Sequence, residues 1–390
     1  MQAEPLGEAK QSGGQPRFDA AAVLREIAIP RLAGSEGAAE VAGAVRQRFE
    51  SAGYDVDEQP FTFNPWPGRF GITAAGALYL VATFTAAAFL YTNHPFGAIA
   101  LLLILLFVVA LGAIFVRAAI DSLSWGEQQG TNLFATVSGG RPRFIIMAHR
   151  DSKSQPLPLA FRGPAVIIAL LVWLAMFGAA IVHTAEPVPG SLIIGLGVAA
   201  AIAGVLLIFC WADNNSPGAL DNASGVAAAI GIAARDHGRG DVAFLIPDAE
   251  ELGLAGASAA AAGLPRVFGV INLDGLDDGG TFHVFERFGV LRKKGLAPHI
   301  AVALMQQADE MGEPMDRDDL PFGIPVDHIP IVKAGLPALT IMRGTMKSLR
   351  RVHRPGDDLN HLRGDGVTRT VELVCGALER MREQARPLER

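Results

Sequence analysis

Four stretches of the chain, residues 71–91, 96–116, 164–184 and 191–211, are built almost wholly of Leu, Ile, Val, Phe, Ala and Gly. Each is about 20 residues long, which is what an α-helix needs to cross ~30 Å of hydrocarbon. Soluble folds seldom sustain apolar runs of that length. The pattern therefore predicts four transmembrane helices. The connections 92–95 and 185–190 are short enough to force antiparallel pairing, so the helices form two hairpins, residues 71–116 and 164–211.

The remaining sequence, residues 1–70, 117–163 and 212–390, is patterned like a globular domain. Each hairpin crosses an even number of times, which leaves all three pieces on one side and able to fold together. An amphipathic stretch at 18–27 precedes the Gly34-Ser35-Glu36-Gly37 turn, and a second helix stops at Gly53. Residues 54–63 read as a strand. Apolar runs at 143–149, 242–247, 267–274 and 337–342 alternate with helical stretches such as 222–235 and 367–383. This alternation predicts an α/β sheet covered by helices. Polar clusters begin at the carboxyl ends of the first three runs, where open α/β sheets bind ligands.

Composition adds limits. Half of the 390 residues are hydrophobic and 18 % are charged, too apolar for a wholly soluble enzyme. The net charge of −6 offers no basic surface to nucleic acid, so no nucleic-acid partner is expected. The first 14 residues are polar, with no apolar signal before Gly71, so the N-terminal arm is expected to stay where it is made. Arg69, Arg117, Lys153 and Arg162 flank the hairpins on the globular side, whereas the two turns carry no Lys or Arg. That bias predicts a multi-pass protein with its catalytic domain on the cytoplasmic face. Cys210 and Cys375 lie far apart and suggest no disulfide framework.

Five clusters carry possible chemistry. His149-Arg150-Asp151 pairs a strand-end histidine with an acid placed to orient its second ring nitrogen, although such a pair is commonly plain loop polarity. Asp221 stands at the mouth of an Ala- and Gly-rich helix, where a carboxylate either bridges two cations or merely caps the helix. Glu250 and Glu251 follow the 242–247 run, and adjacent acids point in different directions: one is free to hold metal while the other handles protons. A helix start also favours acids through its dipole. Asp274 ends an apolar run, and His353 supplies a second histidine. Singly each has an ordinary explanation, yet jointly they form the N and O donor set that zinc accepts.

In this order and context the clusters resemble the co-catalytic di-zinc aminopeptidases, metallopeptidase clan MH, family twenty-eight, which also includes glutamate carboxypeptidase-like enzymes and glutaminyl cyclases. The resemblance extends to Arg31–Gly37, Thr131-Asn132-Leu133, Val326-Asp327-His328 and Gly335-Leu336-Pro337-Ala338, and so spans nearly all of the globular sequence. It implies a mixed sheet sandwiched by helices and two zinc ions per chain. His149 and Asp274 would hold one ion, Glu251 and His353 the other, with Asp221 between them. Glu250 would be the general base, Asp151 the partner of His149, and Asp327 a support from outside the ligand set.

Two departures stand out. Arg150 occupies a position that is often aromatic in the family, leaving two placements open, in the pocket or towards solvent. The apolar hairpins interrupt the domain, the second between His149 and Asp221. The short tether from Asp151 to residue 164 keeps the site near the bilayer, so Arg150, Lys153, Arg162 and the Arg350, Arg351, Arg354 group are expected to face lipid head groups or a substrate carboxylate. The reading is a membrane-bound zinc aminopeptidase acting on a peptide or amide substrate, with the lipid bilayer as its other partner. The alternatives are a glutaminyl-cyclase-like or acyl-amino-acid amidohydrolase on the same scaffold, and an inactive receptor-like membrane scaffold.

Overall fold

The computed structural model describes residues 18–112, 126–289, 292–321 and 323–385. The polar arm before residue 18, the end of the second apolar block and Arg117 lie outside them. In chain order the described elements begin with α1 (Ala20–Ile27), α2 (Glu36–Ser51) and β1 (Asp55–Phe63). Two apolar helices follow, α3 (Trp66–Tyr91) and α4 (Pro95–Leu111). After β2 (Gln128–Thr136) and β3 (Phe144–Met147) come two more, α5 (Leu159–His183) and α6 (Gly190–Ile208). The rest alternates α7 (Ser224–Asp236), β4 (Val242–Ile246), α8 (Ala255–Ala261), β5 (Gly269–Leu276), β6 (Thr281–Arg287), α9 (Pro298–Met311), β7 (Met315–Asp319), α10 (His328–Lys333), β8 (Ala338–Gly344) and α11 (Asp365–Ala385).

The strands form one eight-stranded sheet in the order β1-β2-β4-β3-β5-β8-β6-β7. Its centre, β4-β3-β5-β8, is parallel, while β1, β2 and β6 join antiparallel to their inner neighbours. Burial explains the split. Every residue of β3 and β4 is buried, as in a sheet covered on both faces. In β6 only alternate residues are fully buried, the mark of a strand with one face against the core. One face of the sheet carries α1, α2, α7, α9 and α11, the other α8 and α10. Asp19 and Ser35 start α1 and α2 by accepting the N–H groups of Ala22 and Ala38 at 3.0 and 3.2 Å. This is the expected mixed sheet sandwiched by helices.

The four apolar helices stand apart as a second cluster with its own interior. Three of them, α3, α5 and α6, are long and apolar enough to cross a membrane, not four as expected from the hydropathy pattern. The fourth, α4, is described over 17 residues, and the rest of its block falls outside the described residues. At 1.5 Å per residue, α3 and α5 reach about 38 Å. The long helices also start earlier than the apolar pattern suggests, at Trp66 and Leu159, because polar residues such as Arg69 and Arg162 continue them into the globular part. Small residues line the bundle seams: Ala86, Ala98, Ala180 and Ala203 are fully buried, while Phe84, Phe96 and Phe107 point outward.

The bundle has two distinct ends. At one, the turns of both hairpins meet, with His183 Nε2 3.1 Å from Asn93 Oδ1. At the other, its foot, Thr73 donates to the Ile208 carbonyl, Ala212 N–H to the Arg69 carbonyl and Leu157 N–H to the Phe209 carbonyl. The foot touches the loop that carries Glu250 and Glu251. Gly68 lies so close to Leu252 that a Cβ there would sit 2.6 Å from the Leu252 Cα, so only glycine fits.

Candidate active site

Four apolar strands end in polar residues at one edge of the sheet. His149 follows β3, Glu250 and Glu251 follow β4, Asp274 lies in β5, and His353 lies in the loop after β8. Asp221 comes from a one-turn irregular helix, Ala219–Ala223, just before α7. All six carboxylate or imidazole groups converge in a site where His149 is 1 % exposed and the other five no more than about an eighth exposed in their side chains or residues.

The donors fall into two groups. His149, Glu250 and Asp274 form one, and Asp221, Glu251 and His353 the other, with the ligand atoms of each group within 4.8 Å of one another. The Asp221 carboxylate stands between them: Oδ1 is 3.3 Å from His149 Nε2 and Oδ2 is 3.1 Å from His353 Nε2. His149 Nε2 also lies 3.8 Å from Asp274 Oδ1, and His353 Nε2 lies 3.1 Å from Glu251 Oε1. A third group, His283, Asp316 and Asp318, lies on β6 and β7 at the sheet edge, with His283 half-buried and both aspartates exposed.

What holds the donors is a set of buried polar bonds. Asp151 accepts the backbone N–H of Glu250 and of Glu251 at 3.0 and 3.1 Å, and its carboxylate is 3.4 Å from His149 Nδ1. Asp357 accepts the N–H groups of Leu220 and Asp221 at 2.8 and 3.1 Å. Arg31, fully buried, donates to the carbonyls of Arg150, Ile29, Pro217 and Gly218 and so ties the His149 loop to the Asp221 loop. Gly218 has φ +55°, and a Cβ there would lie 2.4 Å from the Asp221 carbonyl oxygen and 2.6 Å from Ser152, which only glycine avoids. His353 and Ala249 also adopt left-handed φ values, 61° and 57°, without being glycine. Such backbone persists only where the surroundings over-determine it.

Arg150 takes neither of the expected placements. It is 4 % exposed, pairs with Asp248 at 2.7 Å and donates to the Ala38 and Thr131 carbonyls at 2.6 and 3.1 Å. Lys153 also fails to face lipid or solvent. Its ammonium lies 2.7 Å from Glu251 Oε2 and 3.3 Å from the Glu251 carbonyl oxygen. Arg351 pairs with Asp277 at 2.7 Å, and Arg354 donates to the Pro156 carbonyl at 2.8 Å. The basic residues expected at a head-group surface are thus mostly used inside the fold, because buried carboxylates and carbonyls nearby need donors. Asp327 is fully buried and neither of its oxygens has a hydrogen-bond partner.

The electrostatics follow from this crowding. Burial raises the Asp221 carboxyl, but hydrogen bonds and charge from His149 and His353 overcome it and hold it well below the usual range. Burial likewise opposes ionisation of Glu251, yet His353 and Lys153 bring it to about 2. Glu250 is pushed well above the ordinary carboxylate range by burial and, against the pull of His149, by Glu251, Asp327 and Asp274. Burial places Asp327 at about 8. Adjacent Glu250 and Glu251 therefore lie on opposite sides of the ordinary value, a separation typical of a site that divides labour between two acids.

Comparison with known proteins agrees with this geometry. Residues 191–378 match the model described as Peptidase family M28, a span that includes Asp221, Glu250, Glu251, Asp274 and His353, with His149 upstream. Among curated proteins no match to the chain is found. Among solved structures the fold is similar to an aminopeptidase from Aneurinibacillus sp. strain AM-1, with TM-score 0.53, 15 % identity, and 93 % of each chain covered. It is also similar to a zinc aminopeptidase from Bacillus subtilis, with TM-score 0.53, 15 % identity, and 94 % of this chain and 96 % of the other covered. A glutaminyl cyclase from Porphyromonas gingivalis aligns with TM-score 0.56 at 15 % identity, covering 93 % and 97 %. The match over residues 191–378, just under half of the chain, on a sheet that brings its donors to one edge, supports a metallopeptidase hydrolase similar to peptidase family M28.

Proposed function

We propose that the protein is a membrane-bound, zinc-dependent aminopeptidase that uses two ions per chain, and that Glu250 is its general base. The observation that carries this reading is the position of Asp221, whose two carboxylate oxygens each face a different histidine, as a carboxylate shared between two cations must. The donor chemistry fits zinc: the five ligand groups offer N or O, and Glu251 Oε1, which faces His353 Nε2, is buried without a hydrogen-bond partner. His149 and Asp274 would hold one ion, Glu251 and His353 the other, with Asp221 bridging.

When bound, the ions supply a Lewis acid for the scissile carbonyl and acidify the attacking water. The protein's own groups do the rest. Glu250, neutralised readily because it is buried among acids, takes a proton from that water and passes it to the leaving amine. Asp151 fixes the backbone of Glu250 and Glu251, so the two carboxylates keep their separate directions, and it steadies the His149 ring. The buried Asp327 supports the site from outside the ligand set. The substrate class is a peptide or amide with a free N-terminus.

A second reading has its own support: the Asp221, Glu251 and His353 group is complete by itself, and a glutaminyl cyclase shares the fold. One experiment separates the two. The purified protein is assayed with aminoacyl, acyl-amino-acid and N-terminal glutaminyl reporters while its zinc is counted. Release of amine from the aminoacyl reporter with two zinc per chain supports the aminopeptidase. Cyclisation of the glutaminyl reporter with one zinc replaces it with the second reading.

For location, α3, α5 and α6 cross the bilayer with α4 completing two hairpins, residues 71–116 and 164–211, inserted between the three parts of one peptidase domain, 1–70, 117–163 and 212–390. Large side chains such as Val81, Phe84, Phe107 and Leu171 face outward along the bundle, where lipid would cover them. Aromatic pairs mark its foot, Trp66 with Phe70 and Phe209 with Trp211. The Lys and Arg residues that flank the hairpins on the globular side, against none in the two turns, favour a cytoplasmic peptidase domain. A tag at Asn93 or Pro187 should be reachable only from the far side, and reporters at both termini only from the cytoplasm. A C-terminal reporter on the far side would refute this topology.

A further inference from the structure

Between Asp151 and α5 the chain runs as a strap, residues 153–157, that touches donor residues on one flank and helix ends on the other. Lys153 grips Glu251 through Oε2, leaving Oε1 turned towards His353. Two residues on, the Gln155 N–H donates to the His353 carbonyl at 2.9 Å. That bond bears on a residue whose backbone is left-handed at φ 61°, a conformation that needs outside support.

The other flank of the strap belongs to the bundle. The Gln155 side chain is 5 % exposed, donates from Nε2 to the Cys210 carbonyl at 3.0 Å, and accepts from Arg162 of α5 at 2.8 Å. Leu157 N–H reaches the Phe209 carbonyl at 3.0 Å, and Ser154 and Asp213 exchange backbone bonds at 2.7 and 2.8 Å. Gln155 thus joins the end of α6 and the first turns of α5 through its side-chain amide, and the backbone of His353 through its own N–H. Among the described residues His149 and Asp274 have no such link: His149 stands two residues after β3 and Asp274 lies within β5.

We infer that the foot of the apolar bundle is part of the scaffold of the Glu251 and His353 half of the site, and that Gln155 is the positioning residue through which it acts. Under this view the hairpins do more than anchor. They hold one metal position and leave the other to the sheet. The inference rests on the proposed metal roles of Glu251 and His353.

The test is stepwise binding of Co2+ to the metal-stripped full-length protein in lipid nanodiscs, followed by calorimetry and by the visible spectrum, with thermal stability measured alongside. Partners that orient metal ligands are worth roughly 10- to 100-fold in affinity. Gln155→Met is expected to weaken one Co2+ equivalent by about tenfold, change that equivalent's spectrum, and leave the other equivalent alone. Arg162→Met, which cuts only the bundle-side bond and lies on α5, should weaken the same equivalent by about threefold, a smaller share of the same effect. It keeps the test usable if the first variant folds poorly. Unchanged binding in both variants overturns the inference, as does equal weakening of both equivalents in step with lost stability. Wild-type protein that binds a single Co2+ would refute the two-ion reading instead, and the strap would then be judged on that one equivalent.

Discussion

His149, Glu250 and Asp274 are presented by the ends of central strands, whereas Glu251 and His353 lean on a strap that continues into the apolar bundle. The two donor groups share Asp221, so they are chemically alike yet mechanically different. The first is as rigid as a sheet whose core strands are buried on both faces. The second depends on a lysine contact, a left-handed histidine and a buried glutamine amide. A fold of this kind can carry a large insertion beside its site because His149 and Asp274 stand at or next to the central strands β3 and β5, away from the strap.

The largest expected effect lies on the residue the halves share. Asp221→Ala should lose both zinc ions together and all measurable hydrolysis, since each ion loses a donor; two tightly held zincs would end the bridging role. Single-histidine variants divide the comparison. His149→Ala and His353→Ala should each retain one ion, and metal analysis showing that either variant loses both would mean that the groups are not separable. Next comes the frame common to both. Arg150→Met strands Asp248 in the interior without its partner, and breaking such a buried pair costs about 3–5 kcal/mol. Urea unfolding of detergent-solubilised protein would measure this, and a loss under 1 kcal/mol, at the scale of a surface ion pair, would show the pair to be solvent-like. The smallest effect is a control. Arg382 pairs with Asp236 and Asp241 at 2.7 and 2.6 Å, away from both groups, so Arg382→Met should cost roughly 2 kcal/mol while leaving zinc content at its wild-type level.

Much of this was legible in the sequence because it depends on local pattern. Runs 143–149, 242–247 and 267–274 announce β3, β4 and β5 through unbroken apolar character, and their polar ends locate His149, Glu250 and Asp274. The edge strand β1 was legible in residues 54–63, but β2 and β7 were less visible. β7, Met-Asp-Arg-Asp-Asp, is charged after its first residue and is a strand only because β6 pairs with it. The outer strand β2 showed itself only through Thr131-Asn132-Leu133. Arg150 and Lys153 were misplaced for a related reason. A basic residue in a polar loop beside an apolar helix reads as a surface group, and its burial depends on Asp248 and Glu251, about a hundred residues away in sequence. The early starts of α3 and α5 reflect the same limit, since apolar composition marks where a helix can cross a bilayer and not where it begins.

The central claim is that two metal ions and a separate proton carrier share this site, and Glu250 is where the claim is most exposed. Its carboxylate stands in the same donor group as His149 and Asp274, near enough to serve as a ligand. The decisive measurement is zinc content and kcat of Glu250→Gln, made on the same preparation with an aminoacyl reporter. If Glu250 carries the proton, the variant keeps two zinc per chain while kcat falls by roughly 10²- to 10⁴-fold, the usual worth of a general base. Loss of a zinc ion in proportion to the loss of activity would make Glu250 a ligand and contradict the account.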